Sequence, residues 1–335
     1  MSLVTSVYQG TGHSKIYQIQ IHGKNLVLPT YFPAISSAET RFMLEPLLEA
    51  ILRSGYPRLL VSAYDLAKLP EKRHQNVHRI LSNYKENNFV FLDSGTFESF
   101  WFNDKQWSFS KYKKQLSRIC PDMYTSFDSV PTLQQSYEDI EHETFNNIRN
   151  SHKLKRNNSC LFACHGQNPN QLVKLVKNVV KFEVVPEMIG IPERDCGKTI
   201  EDKIKTVQKI RDILDEFNSK TVFHILGLGN PLTMALLTFS GANSFDSVDW
   251  SRWIVDRKTF QFTDLANLPL LHCSCKACKT KQIDYSLKAI FHNLLFYQDF
   301  ILQLQQVIVD RKEIGFLKRH LDKAGFSKIV KFFKS

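Results

Sequence analysis

No stretch of about 18 consecutive apolar residues occurs in this 335-residue chain, so no membrane-spanning helix is expected. The N-terminus, MSLVTSVYQGTGHSKIYQ, lacks a basic segment followed by an apolar one, and no secretory signal is expected there. Low-complexity tracts and short repeats are missing as well, which excludes solenoids and linker-rich scaffolds. Acidic residues are scarce beside basic ones: 33 Asp and Glu face 44 Lys and Arg, for a net charge of +11 and a pI near 9.2. That balance is silent on fold but favours a polyanionic partner such as nucleic acid. The seven cysteines are odd in number and three crowd into residues 273–278, which suggests a metal site in a reducing cytoplasm, not a disulfide framework.

What is present is apolar bulk. The chain is 43% hydrophobic and 12% aromatic, enough for a large core. Its length admits two domains or a single barrel with an insertion. Short apolar or β-branched runs recur at 25–32, 58–63, 89–93, 122–128, 159–166, 182–190, 221–229 and 242–248. Amphipathic stretches lie between them, for example at 38–55, 133–151 and 200–218. In the last, Ile200, Ile204, Val207, Ile210, Ile213 and Leu214 recur at helical spacing. Eight strands alternating with helices predict a (β/α)8 TIM barrel; a doubly wound open sheet is the competitor, since alternation alone does not show closure.

The run FVFLDSGTFESFW, residues 89–101, ends its apolar part on a carboxylate that is costly to desolvate. In a barrel, chemistry sits where strands end. Those ends are expected at Asp93, Asp128, His165, Gly190, Gly229 and Asp246. Helix capping is the plain alternative for a strand-end aspartate, but three of them on apolar runs point to a shared rim. Gly190 and Gly229 would give a ligand access to the backbone, or would simply make tight turns. Phe97, Phe100, Trp101, Trp107, Trp250 and Trp253 are candidates to line that rim, or core residues.

After the eighth strand, LLHCSCKACKT holds Cys273, Cys275 and Cys278 as C-x-C-x-x-C, with His292 following in FHNLLFYQ. Three thiolates and one imidazole make a closed tetrahedral set, the structural type of zinc (Zn2+) site. His272 is a rival fourth ligand. Cys120, Cys160, Cys164 and Cys196 have no ligand spacing; Cys164, beside His165, is read as core filling over nucleophile. The stretch 311–335 carries eight Lys and Arg against two Asp and Glu, a net of +6. It could grip phosphates on one face while packing Phe316, Leu317, Ile329 and Phe332 on the other.

The ordered set of DSG after strand three, FD after strand four, HG after strand five, LGLGNP at strand seven, GANSFDSV at strand eight and the C-x-C-x-x-C with its His-Asn resembles the tRNA-guanine transglycosylase superfamily, over residues 27 to 300. The resemblance implies a (β/α)8 barrel with a small C-terminal zinc-binding subdomain, and an exchange of guanine in nucleic acid for a 7-deazaguanine. It assigns Asp246 as nucleophile, Asp93 as general acid/base and Asp128 as reader of the base. Ser94, Gly95, His165, Gly166, Gly190 and Gly229 complete the implied substrate-binding set. The departures are DSGTFES for DSGGFQ, His165-Gly166 for glutamine-glycine, Ile189-Gly190 for a double glycine and SVDWSRW for a basic PTR segment. They look more like the DpdA branch, which inserts 7-cyano-7-deazaguanine (preQ0) into DNA.

The expected organisation is a catalytic barrel over 1–265, a zinc subdomain over 266–300 and a basic helical segment over 301–335. The expected partners are DNA in preference to tRNA, a 7-deazaguanine such as preQ0, and helper proteins that open DNA; the resemblance also makes a homodimer possible. A tRNA enzyme of the same chemistry and a non-catalytic nucleic-acid-binding subunit are the alternatives.

Overall fold

In the computed structural model, which describes residues 4–38, 40, 42–154, 159–182, 186–281 and 283–333, the chain opens with an antiparallel sheet. Its strands are β1 (Val4–Gln9), β2 (Lys15–Ile21) and β3 (Lys24–Leu28), in that order. The β2–β3 hairpin turns on His22 and Gly23, both at positive φ, the conformation that two-residue hairpins require. Pro29, which has no N–H to donate, separates this sheet from β4 (Thr30–Ile35). The sequence run at 25–32 is therefore two strands in two different sheets.

The chain then alternates. In order come α1 (Leu44–Ser54), β5 (Arg58–Ser62), α2 (Ala63–Lys68), α3 (Glu71–Lys85), β6 (Phe89–Asp93), α4 (Thr96–Trp101) and α5 (Phe109–Ile119). They are followed by β7 (Met123–Thr125), α6 (Tyr137–His152), β8 (Ser159–Ala163), α7 (Pro169–Val179), β9 (Met188–Pro192) and α8 (Ile200–Asn218). The series ends with β10 (Val222–Leu226), α9 (Pro231–Phe239), β11 (Ser244–Ser247) and α10 (Asp249–Arg252). The eight strands β4 to β11 pair in parallel and close on themselves through the β11–β4 ladder, so the open-sheet alternative is excluded. Of the sequence run at 182–190, residues 183–185 lie outside the described residues, and the strand itself begins at Met188.

Side chains on a strand alternate between its faces. Phe89 and Phe91 of β6 fill the barrel interior with Phe32, Met123, Leu161, Met188 and Val222. Val90 and Leu92 point outward onto the helical layer. At the interior's lower end Tyr17, Ile19, Leu26 and Leu28 of the antiparallel sheet join the first residues of β6, β9 and β10 in one buried cluster. One end of the barrel is thus sealed with apolar side chains, and the mouth where the strands finish is left for polar ones. The helix at 200–218 forms as its periodicity predicts. Ile204, Val207, Ile210 and Leu214 are buried, and Thr199 and Asp202 close a capping box at its start.

Beyond the barrel lie β12 (Ile254–Val255), β13 (Phe262–Thr263), α11 (Lys276–Lys279), α12 (Tyr285–Val309), α13 (Glu313–His320) and α14 (Lys323–Ile329). Helix α12 runs unbroken across residues 300 and 301, so the expected boundary there divides a continuous element. This helix braces the barrel. Tyr297 stacks on Tyr31 with ring centroids 4.1 Å apart, and its hydroxyl donates to the Gly229 carbonyl. The basic C-terminal stretch forms two short helices that bury Phe316, Leu317 and Ile329, with Phe332 half-buried. No helix among the described residues is long and apolar enough to cross a membrane.

Candidate active site

The alternation that sends Phe89 and Phe91 inward also sends Asp93, two residues further, into the barrel mouth. By the same rule Val222 and His224 of β10, and Ser244 and Asp246 of β11, face inward, whereas Phe223, Ile225 and Phe245 pack outside. The mouth encloses a cavity of about 280 Å³ lined by Asp93, Ser94, Asp128, His165 and Asp246 among others. Asp93 and Asp246, 153 positions apart in the chain, thus meet at one opening.

Each carboxylate is held differently. Asp93 accepts from the Gly95 N–H at 3.0 Å and the Thr125 hydroxyl at 3.1 Å. Burial, with the neighbouring charge of Asp128, pushes its carboxyl up to about 7. Gly95 allows this turn: its φ is +76°, and a Cβ there would stand 2.5 Å from the Tyr64 backbone nitrogen. Asp246 accepts from His224 Nε2 at 2.9 Å and from the Gly227 N–H at 3.2 Å, both on Oδ1. His224 is fully buried, and its Nδ1 is held by the Ser244 hydroxyl at 2.8 Å.

Asp128 lies three residues past the end of β7, on the loop. Its oxygens take the Ser94 hydroxyl at 2.5 Å and His165 Nε2 at 2.7 Å. Burial works against its charge, but those hydrogen bonds and the His165 charge hold the carboxyl below its usual range. His165 is raised to about 9: burial opposes its charge, and Asp128 and Asp195 override that. At neutral pH the pair is imidazolium and carboxylate.

The glycines fare differently. Gly190 sits in the middle of β9, not at its end, where a Cβ would strike the Leu161 side chain at 2.3 Å. Its bareness serves interior packing, not access to a ring. Gly229 packs against Ser247 and Asp249, and Gly166 against the backbone of Leu172. Neither they nor Gly95 and Gly190 line the cavity; Gly227, at φ +75°, does. Trp107 and Trp250 are core residues whose indole N–H groups donate to the carbonyls of Ser94 and Ala34. Phe97 lines the cavity under the guanidinium of Arg194, while Phe100, Trp101 and Trp253 are exposed. Cys160, Cys164 and Cys196 are buried and Cys120 is exposed; burial pushes the Cys164 thiol up to about 12, which suits core filling and not a nucleophile.

Sequence reasoning missed His224, Gly227, Ser36, Glu98, Arg194 and Arg252. His224 carried a signal, an ionisable residue on the inward register of an otherwise apolar strand, two positions from Val222 and from Leu226. The others lie on loops and first helical turns, where periodicity gives no face.

Beyond the barrel strands, Cys273, Cys275, Cys278 and His292 bring their donor atoms within 4.8 Å of one another. His292 is fully buried and its Nε2 donates to the Val255 carbonyl at 2.8 Å, which turns the Nδ1 lone pair toward the thiols. Cys275 and Cys278 lie 3.6 and 3.4 Å from that nitrogen. The donor set fits a structural zinc site, which would tie the loop at Cys273 and the short helix α11 to α12. His272 lies outside the cluster.

A closed parallel barrel with three aspartates at its mouth and a Cys3His cluster reaching α12 defines a (β/α)8 barrel protein with a metal-binding appendage. No family model matches the chain. It is 25% identical over 321 residues to the tRNA-guanine(15) transglycosylase of Nanoarchaeum equitans, covering 91% of the chain and 71% of that protein. With the proteins of the same name from Methanopyrus kandleri and Sulfolobus acidocaldarius it shares 23% over 282 residues and 20% over 313 residues. Those matches cover 79% and 90% of the chain but only 58% and 60% of the relatives, so the chain spans about three-fifths of their length. These likenesses support the tRNA-guanine transglycosylase superfamily as the one the chain resembles.

Proposed function

We propose that this protein is a pentosyltransferase that exchanges a guanine in nucleic acid for a 7-deazaguanine through a covalent Asp246–sugar intermediate. The observation that carries this reading is the meeting of Asp93, Asp128 and Asp246 around one cavity. Asp246 Oδ2 attacks C1′ as the C1′–N9 bond breaks, and the bonding pair leaves with the guanine. Asp93 supplies the proton that neutralises the departing base. The incoming 7-deazaguanine gives its N9 proton to Asp93 and attacks C1′, and the C1′–Oδ2 bond breaks. A carboxyl titrating at about 7 suits a group that must both give and take a proton near neutrality.

Asp128, ionised and backed by His165, accepts from the adjacent N1–H and N2–H donors of guanine. Adenine lacks that donor pair and would leave buried acceptors unpaired. Ser94 orients Asp128 from the other side. The zinc site is distant from this chemistry in role: it fastens the brace helix.

The relatives are named for an activity on tRNA, and that favours tRNA as the substrate here. The second reading is DNA with preQ0. It rests on the sequence departures around the cavity, where His165 stands for a glutamine and SVDWSRW for a basic segment. Helper proteins and a homodimer belong to the same set of proposals. Labelled guanine or preQ0 incubated with the protein and either tRNA or duplex DNA separates the polymers. Label entering tRNA alone rejects the DNA reading, and the reverse rejects tRNA. Asp246→Asn is expected to abolish the adduct seen on denaturing gels; an adduct of unchanged yield removes Asp246 as nucleophile.

A further inference from the structure

Glu98 is a carboxyl that the chemistry above does not use, yet it is 3% exposed and lines the cavity. Its two oxygens are not equivalent. The Ala38 N–H donates to the Ser36 hydroxyl oxygen at 3.1 Å, and that hydroxyl in turn donates to Glu98 Oε1 at 2.5 Å. Oε1 is therefore the acceptor oxygen. Oε2 is buried and has no hydrogen-bond partner within the protein. A buried acceptor left bare is costly, whereas a protonated Oε2 is a donor waiting for a ligand.

The barrel order says which part of a ligand. Ser36 follows β4, and β4 stands opposite β8 in the closed ring of eight, whose end carries His165. The Ser36–Glu98 pair thus faces the base-reading wall from across the mouth. With the base at Asp128 and His165 and the sugar between Asp93 and Asp246, the wall at Glu98 is left for the sugar–phosphate backbone. Arg252, at the end of α10 after the neighbouring strand β11, lines the cavity too.

We propose that Glu98 is a hydrogen-bond-donating acid of the site, whose unpartnered Oε2–H holds an oxygen of the nucleic-acid backbone, so that its ionisation releases the strand. This rests on the nucleic-acid reading given above. The titratable groups that face Glu98 are Asp93 at the end of β6 and Asp65 of α2; His165, Arg194 and Arg252 contribute the cavity's cations. Burial, then the charges of Asp93 and Asp65, push Glu98 up to about 8. Below that pH the acid donates to a phosphate oxygen; above it the donor is gone and a negative charge faces the phosphate. The family motif has glutamine at this position, an amide donor that does not titrate.

The test compares the full-length wild type with Glu98→Gln and Glu98→Ala, using fluorescently labelled guanine-containing single-stranded DNA and a tRNA transcript in anisotropy titrations. Between about pH 7 and about pH 9 the wild-type Kd is expected to rise about tenfold more than that of Glu98→Gln, as one titrating proton dictates. Glu98→Ala is expected to bind more weakly than Glu98→Gln at both. Infrared C=O absorption of protonated carboxyls at about pH 7, to which Asp93 also contributes, is expected without any ligand and should lose the Glu98 component in Glu98→Gln. Binding with parallel pH slopes in wild type and Glu98→Gln, or no loss of that component, overturns the Glu98 assignment alone. Failure of both nucleic acids to bind wild type overturns the substrate reading and the ligand assigned to Glu98 with it.

Discussion

Replacing His224 by alanine should slow the covalent step while leaving the rest of the cavity in place. His224 is fully buried, stands level with Ser244 in the β10–β11 ladder, and joins the Ser244 hydroxyl to Asp246 Oδ1. Without it Asp246 keeps only the Gly227 N–H on that oxygen, and its carboxylate is free to turn away from the sugar. A hydrogen bond to a charged group contributes about 1.5–3 kcal/mol, and each ~1.4 kcal/mol is tenfold in rate, so adduct formation should fall roughly 10–150-fold. Removing a buried ring also leaves a void, at a cost of about 2–4 kcal/mol in stability. The melting temperature should therefore drop, and His224→Gln is the control, because its side-chain amide reaches toward the same carboxylate. The assay is the rate of adduct formation on denaturing gels in the absence of incoming base, with circular dichroism to show that the variant is folded. Recovery of most of the rate in His224→Gln supports positioning. A folded His224→Ala that forms adduct within about twofold of wild type refutes it.

Asp93→Asn should lose base exchange and yet stabilise the fold. The folded carboxyl is raised from 3.8 to about 7, so ionising it costs the native state more than the unfolded one. The gain in melting temperature over wild type should be full above about pH 7 and fade as pH falls toward about 4, where aspartic acid is neutral in both states. A variant that melts below wild type at about pH 8 contradicts the assigned burial. The Cys3His site should hold about one zinc per chain, and its removal by chelation or Cys278→Ser should lower the melting temperature sharply, because metal binding is coupled to folding. Metal-free protein that melts with the holoprotein removes the structural role.

Much of the barrel was legible because its physics is local and repetitive. All eight barrel strands fall within the apolar runs or overlap them, and the helix at 200–218 has the predicted bounds. Where a run crossed a proline, as at 25–32, composition gave no hint that the chain changes sheets. The N-terminal cap of β1 and β2 escaped notice because its alternation is short and its strands are half exposed. The aspartates were visible as charges interrupting apolar runs. Gly190 was misplaced at a strand end, because a glycine required for packing and a glycine required for access look the same in sequence.

By itself the sequence determined the parallel alternation, the metal-ligand spacing and the three acidic strand ends. Each is written in neighbouring residues through the two-residue period of strands, the turn of the helix and the reach of a short loop. Only the tertiary structure decided that the β11–β4 ladder closes the sheet, that Asp246 Oδ1 is fixed by His224 and Gly227, and that Glu98 is buried with one oxygen unpartnered. Those facts join residues distant in the chain. They depend on which inward-facing side chains the closed ring sets side by side, which no local pattern encodes.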